Sequence, residues 1–292
     1  MPGNRYDRGV SVSTDDERHE LLELRYGKGK APEDLRWNDQ IAGLLRHRSV
    51  RTYLPDPLPD GTLETLVAAA QSASTSSNLH QWSVVAVTEP ELKAKIAATT
   101  RMDSMDLENT QINEAPLLLL WVADLSRSHA IATESGDSGD VLEQLDTFLV
   151  AATDAALAAQ NATVAAESLG LGTVYIGAAR NRARELAELI GLPPLSFVSF
   201  GLVVGHPDPE RPARIRPRPA QELVLHRERY DTSAWREVVE EYEEEFRTFR
   251  DDVGLGFKTW RSSVVRMSSG VDLMDGRQNL DETVRARGFL AR

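Results

Sequence analysis

Hydrophobic positions along the chain fall into two patterns, helical repeats and short unbroken runs. Ile41, Leu44 and Leu45 share one face of a short helix over residues 37–47. After a Pro-rich turn, Leu63, Leu66, Val67 and Ala70 repeat at helical spacing, and that helix stops in the hydroxyl-rich loop 72–78. Residues 82–87 form a β-type run, and Pro90 sits in the first turn of the helix that follows. The run 116–122 (Pro-Leu-Leu-Leu-Leu-Trp-Val) reads as a strand buried on both faces. Residues 128–140 are polar, contain Gly136 and Gly139, and read as a loop. The longest element spans 141–169, with Leu142, Leu145, Leu149, Ala152, Ala156 and Ala159 on one face. So little polar surface predicts burial, in the core or against a second subunit. Residues 170–177 give a turn and a short strand. A helix over 182–190 is capped by Gly191 and stopped by Pro193 and Pro194, and 197–204 is a last core strand. Residues 233–250 read as an acidic amphipathic helix, and the tail beyond Gly254 shows little periodicity. Near the start, an amphipathic piece over 15–26 sets Leu21, Leu22 and Leu24 among charges. Helices and strands alternate without a strict βαβ rhythm, which predicts a sheet flanked by helices in the α+β class.

Composition narrows the function. Asp and Glu total 45 against 33 Lys and Arg, a net charge of −12, which argues against a nucleic-acid binder. Any anion site must therefore be local. Cysteine is absent, which removes disulfides, thiolate metal sites and cysteine nucleophiles together. The six histidines are scattered without a zinc-type i, i+4 pair, so no metal site is expected. Residues 1–12 are polar and lack the apolar centre of a secretion signal, and no run of about 18 apolar residues exists to span a membrane. A soluble, cytoplasmic protein is expected.

The candidate chemistry starts at residues 45–53, where Arg46, Arg48 and Arg51 lie within six residues, with Ser49 between the last two. Guanidinium forks and a hydroxyl suit a phosphate group. The same cluster also suits a basic helix C-terminus complementing the helix dipole. Arg216 and Arg218 lie two apart in a Pro-flanked extended segment, so both side chains can face one way. Thr75, Ser76, Ser77 and Asn78 offer hydroxyls, N–H groups and an amide for a polar ligand rim. Gly170-x-Gly172 fails as a dinucleotide fingerprint: Tyr175 holds the third glycine position, and the glycines precede a strand instead of following one. A phosphate-binding Gly-Lys-Ser/Thr and a Gly-x-Ser-x-Gly elbow are both absent.

In order and spacing these pieces resemble the nitroreductase superfamily, and within it the NADPH-dependent nitro- and flavin reductases. The matching residues are His47-Arg48-Ser49-Val50-Arg51 with the downstream Pro-Asp-x-Pro-Leu-Pro, Ala73 through Leu79, Gln160-Asn161 with Ala166 through Gly172, Tyr175-Ile176-Gly177, and Arg216-Pro217-Arg218. The likeness covers residues 38–230 well and the C-terminal region loosely. It implies an α+β fold with a central mixed sheet flanked by helices, and a homodimer with the long helix at its interface. It divides the chain into an extension (1–36), an FMN-binding core (37–230) and a helical excursion of the same domain (231–292). His47, Arg48, Ser49 and Arg51 would hold the ribityl chain and phosphate of FMN, joined by Arg216 and Arg218. Thr75, Ser76, Ser77 and Leu79 of the partner subunit would complete the site. Tyr175, Ile176, Gly177 and Ala178 would lie along the isoalloxazine, and Asn109 or Gln111 would add an amide.

Ser77, Asn78 and Arg266 are the substrate-side candidates, Arg266 together with Arg261 as readers of a 2′-phosphate. The implied activity is ping-pong hydride transfer from NADPH, or NADH, through FMN N5 to a nitroaromatic, a quinone or free flavin. No protein residue acts as nucleophile, because the flavin carries the chemistry. A flavin-storage protein and a flavin-dependent oxidase are the alternatives. Ala178 stands where the subgroup often has a second glycine, Arg216 where lysine is common, and Asn78 where an aromatic can sit.

Overall fold

Most of the apolar run read from the sequence lies in an inner strand of the sheet, and every residue of that strand is buried. The structure is a computed structural model that describes residues 14–290. The secretion-signal reading, which concerns residues 1–12, lies outside them. In chain order the helices are α1 (Asp15–Tyr26), α2 (Asp39–Leu45), α3 (Thr62–Gln71), α4 (Pro90–Thr99), α5 (Gln111–Glu114), α6 (Ser126–Glu134), α7 (Leu145–Ser168), α8 (Ala183–Leu189), α9 (Trp235–Asp252), α10 (Trp260–Ser269) and α11 (Leu280–Ala286). The strands are β1 (Trp82–Val87), β2 (Leu117–Asp124), β3 (Gly172–Ile176) and β4 (Ser196–Gly205), in the sheet order β1-β2-β4-β3. All three pairings are antiparallel. The parallel part of the expected mixed sheet is a single bridge, Ser49 to Thr173.

The chain divides into two compact units, residues 49–213 with 270–292, and residues 1–48 with 214–269. In the sheet unit, alternate residues of β2 serve two cores, as a strand's period of two requires. Leu117, Leu119 and Trp121 face Leu66 and Ala70 of α3 and the alanines 155, 158, 159, 162 and 166 of α7. Leu118, Leu120 and Val122 face Ile96 of α4, Ile112 of α5 and Leu186 of α8. The register of β4 on β2 jumps from Phe200 opposite Trp121 to Val198 opposite Val122, leaving Ser199 as a bulge. Val284 of α11 and Phe289 pack with Ala123, Leu125 and Phe197.

In the other unit, α9 is the amphipathic helix expected over 233–250 and buries Val238, Val239, Tyr242 and Phe246. Glu243 accepts from the N–H groups of Trp260 and Arg261, 2.7 Å each, and caps the start of α10.

Three expectations are corrected. Residues 128–140 are not all loop, since α6 runs to Glu134; it buries no residue, so no apolar stripe announced it. The unpatterned tail holds α10, which also buries none, and α11, which buries Val284 alone. On α7 the buried face is the alanines, whereas Leu145 and Leu149 are more than half exposed within one chain.

Candidate functional site

The predicted site residues fall in both units, and the boundary between Arg48 and Ser49 cuts the first motif. In the helical unit, α2 is capped at its start by Asn38, whose side chain accepts from the Ile41 N–H at 2.9 Å, and it ends at Arg46. The Arg46 guanidinium is taken by Glu17 of α1, with Nε 2.8 Å from the carboxylate. Arg46 is therefore engaged within the chain. Arg48 is exposed, and its one long hydrogen bond goes to the Arg46 carbonyl at 3.4 Å. Arg216 and Arg218 are exposed on either side of buried Pro217. Arg216 lies 5.6 Å over the Phe249 ring, and Tyr242 donates to the Pro217 carbonyl at 3.0 Å. Burial pushes the Tyr242 phenol up, while the charges of Arg218 and Arg216 pull it partly back. His47 is half-buried next to Arg48, and Arg266 is exposed in the last turn of α10.

Holding these segments is a residue that sequence reading passed over. Arg25 of α1 is only 5% exposed. It donates to the carbonyls of Leu45 (2.8 Å), His47 (2.9 Å) and Arg216 (2.8 Å). A signal was present: Leu21, Leu22 and Arg25 share the buried face of α1, so an arginine falls in line with an apolar stripe.

In the sheet unit, residues 49–51 run along β3. The Val50 N–H donates to the Thr173 carbonyl at 2.9 Å, and Ser49 bridges the same residue. Gly172 permits this, because a Cβ there would lie 2.7–2.9 Å from the Val50 side chain. The glycine rejected as part of a dinucleotide motif is a packing glycine. Tyr53 donates to the Val50 carbonyl at 2.7 Å; burial pushes its phenol far above the usual range, partly offset by Arg51. Arg51 itself is exposed. β3 delivers Tyr175, 37% exposed, and buried Ile176, and then Gly177 and Ala178 open a 3-10 turn. The Tyr175 hydroxyl lies 3.0 Å from Thr163 Oγ1 and donates toward Gln160 Oε1 at 3.4 Å, both on α7. Gln111 and Asn109 are buried and tied together, Nε2 to Oδ1 at 3.0 Å.

The loop 75–80 is strained and anchored. Ser77, Asn78 and His80 have φ of +50°, +58° and +50°, a region that non-glycine residues rarely adopt, and such strain concentrates at ligand sites. The Ser76 N–H donates to Asp154 Oδ1 of α7 at 3.2 Å. Thr75 Oγ1 and Asp154 Oδ2 are buried with no hydrogen-bond partner among the described residues. Ser77 and Asn78 are exposed, and Leu79 is 57% exposed.

At the loop's far end Arg127 donates to the carbonyls of His80 (2.8 Å) and Trp82 (2.9 Å) and to Asp124 Oδ2 (2.7 Å). Burial pushes the Asp124 carboxyl up. Hydrogen bonds from Ser126 and Ser83, with the charge of Arg127, outweigh that and hold it below the ordinary range. A depressed carboxylate stabilises the fold above its unfolded value, about pH 3.9, and loses that contribution as pH falls through the lower folded value. Asp124→Asn should cost about 1 kcal/mol at pH 7 and flatten the fall in the urea midpoint below about pH 4. A variant whose midpoint falls with pH as steeply as the native chain's would show that Asp124 is not responsible.

Arg48, Arg51 and Arg218 have no carboxylate partner among the described residues, in a chain of net charge −12. An exposed guanidinium without an acid partner is a donor suited to an anionic ligand. No group of His, Asp or Glu among the described residues is arranged to hold a metal ion. The sequence model described as "Nitroreductase family" matches residues 44–206, and "Nitroreductase family, C-terminal domain" matches 216–292. The chain belongs to the nitroreductase family.

Among relatives of this nitroreductase, an FMN reductase [NAD(P)H] of Bacillus subtilis is 41% identical over 196 residues, 66% of this chain and 75% of that one. An FMN reductase (NADPH) of the same organism is 31% identical over 257 residues, 86% of this chain and 98% of that one. Of solved structures, Bacillus megaterium NfrA2 superposes with a TM-score of 0.79 at 32% identity, over 87% of this chain and 98% of its own. The α+β fold expected from the resemblance is thus the fold of the family. Arg48, Arg51, the 75–79 loop and Tyr175 lie inside the first matched region, and Arg216, Arg218 and Arg266 inside the second. Arg25 lies outside both.

Proposed function

We propose that this nitroreductase binds FMN and passes electrons from NADPH, or NADH, to a nitroaromatic, a quinone or free flavin. The observation that carries the reading is the set of exposed arginines, Arg48, Arg51 and Arg218, with no carboxylate partner among the described residues of an acidic chain. His47, Arg48, Ser49 and Arg51 would hold the ribityl chain and phosphate, joined by Arg216 and Arg218, since planar guanidinium forks pair with phosphate oxygens. Tyr175, Ile176, Gly177 and Ala178 would lie along the ring, with Gln111 or Asn109 adding an amide. FMN, when bound, supplies the two-electron chemistry, and the protein's part is to orient it and exclude water. Arg266 would meet the 2′-phosphate of NADPH, and Ser77 and Asn78 the acceptor.

The native assembly on this reading is a homodimer. Leu145 is 56%, Leu149 53% and Leu157 45% exposed along α7 in the single chain. A helix whose alanines are buried and whose leucines are open has a second apolar face for a partner. The loop residues Thr75, Ser76, Ser77 and Leu79 would then serve the partner's flavin.

Anaerobic mixing of the FMN-loaded protein with NADPH tests the activity. The absorbance near 450 nm is expected to bleach within seconds and to return on adding a quinone or nitroaromatic. A yellow protein that stays yellow would be a flavin carrier instead. Comparing kcat/KM for NADPH and NADH tests the Arg266 contact, since equal values remove it.

A further inference from the structure

We propose that Arg25 is a positioning residue for the phosphate end of the flavin site, so that the segment read as an N-terminal extension is a working part of it. The inference rests on the FMN reading above. The two family models begin at residue 44 and end at 292, so α1 lies outside the region they match. Yet α1 supplies the residue that joins the two basic segments. Arg25 Nη1 donates to the Arg216 carbonyl at 2.8 Å, and Nη2 donates to the Leu45 and His47 carbonyls at 2.8 and 2.9 Å. Its own carbonyl accepts from the Arg218 N–H at 2.7 Å. One residue therefore fixes the backbone beside Arg48 and the backbone of both Arg216 and Arg218.

The chemistry of this clamp is specific. All four bonds go to backbone groups, which leaves the side chains of Arg48 and Arg218 open to solvent. A buried cation is costly unless its hydrogen bonds are made, so the buried guanidinium favours the arrangement in which these three carbonyls face it. Reaching three carbonyls from one buried position needs the planar five-donor fork of arginine. Lysine keeps the charge but places its donors at one point. Thr14 caps the first turn of α1, its side chain accepting from the Glu17 N–H. Lys30, just beyond it, pairs with Glu245 of α9 at 3.0 Å.

The test compares FMN with riboflavin, which lacks the phosphate, on the full chain and on Arg25→Lys and Arg25→Ala. Dissociation constants come from quenching of flavin fluorescence, and thermal melts of the flavin-free proteins run alongside. For the native chain FMN is expected to bind well ahead of riboflavin. In both variants the FMN constant is expected to rise at least about tenfold, the scale of one charge-assisted contact, while riboflavin changes less than about twofold. Lysine should not rescue. If it restores FMN binding, the charge and not the fork is what matters, and the clamp is wrong. If FMN and riboflavin weaken together, or neither changes, Arg25 is structural only and the proposal falls. Should the alanine variant fail to fold, the lysine variant carries the same comparison. A native chain that prefers neither flavin would overturn the phosphate assignment itself, a result visible before any variant is made.

Discussion

Trp121→Ala is expected to destabilise the fold by about 3–5 kcal/mol, the range for deleting a large buried aromatic. Trp121 is fully buried in β2, between β1 and β4, with its ring 5.6 Å from that of Trp82. The residues across from it on α7 are alanines, which have no side chain to swing into the space left behind. The cavity therefore persists. One feature lowers the cost: the indole N–H is buried without a partner among the described residues, and truncation relieves that penalty. Trp121→Phe separates the two effects, keeping most of the ring while removing the N–H, and should lie within about 1.5 kcal/mol of the native chain. Urea unfolding of the flavin-free proteins, with the slope checked for constancy, measures both. The consequence reaches the site, because the helix over that cavity carries Asp154, which anchors the Ser76 N–H, and the Thr163 and Gln160 contacts of Tyr175. If Trp121→Ala cost under about 1 kcal/mol, the α3–α7 layer would have to be loosely packed, contrary to the burial seen here.

Much of this architecture was legible in the sequence because its signals are local. An unbroken apolar run such as 117–122 has few options other than a buried strand, and the mix of apolar and acidic residues over 233–250 reads as an amphipathic helix. α6 and α10 were missed for the converse reason: a helix with no buried residue carries no stripe. On α7 the leucines suggested one face and the structure buries the other, since a chain read alone cannot say which apolar face its own sheet will take. Pairing between distant segments leaves no local mark either. Val50 lies against Gly172, and Arg25 against Leu45, His47 and Arg216, and nothing in the spacing announces those contacts. The arginines and the hydroxyl loop stand out by residue type, while their joint role as one flavin site comes from the resemblance of ordered motifs. What the structure adds is the set of anchors, Arg25, Asp154, Arg127 and Gly172, on which those motifs rest.

Arg48→Ala is expected to weaken FMN binding by about 1.5–3 kcal/mol, roughly 10- to 150-fold, the value of a hydrogen bond to a charged group. The size follows from how little Arg48 does within the chain. Its guanidinium is exposed and makes one 3.4 Å contact to a carbonyl, so its removal should leave the melting temperature within a degree or two while affinity falls. Arg46→Ala is the matched control two residues away. That guanidinium is engaged by Glu17 at a partly exposed site, a pair worth about 0–1 kcal/mol, so its loss should change FMN affinity by less than about twofold. The contrast between the two arginines matters more than either value, because both remove the same charge from the same turn. A general electrostatic effect would weaken binding equally in both, and raising the salt would erase it in both. A direct phosphate contact singles out Arg48, spares riboflavin, and survives in part at high salt. Equal losses in the two variants would return the cluster to its other reading, a basic helix terminus with no ligand of its own.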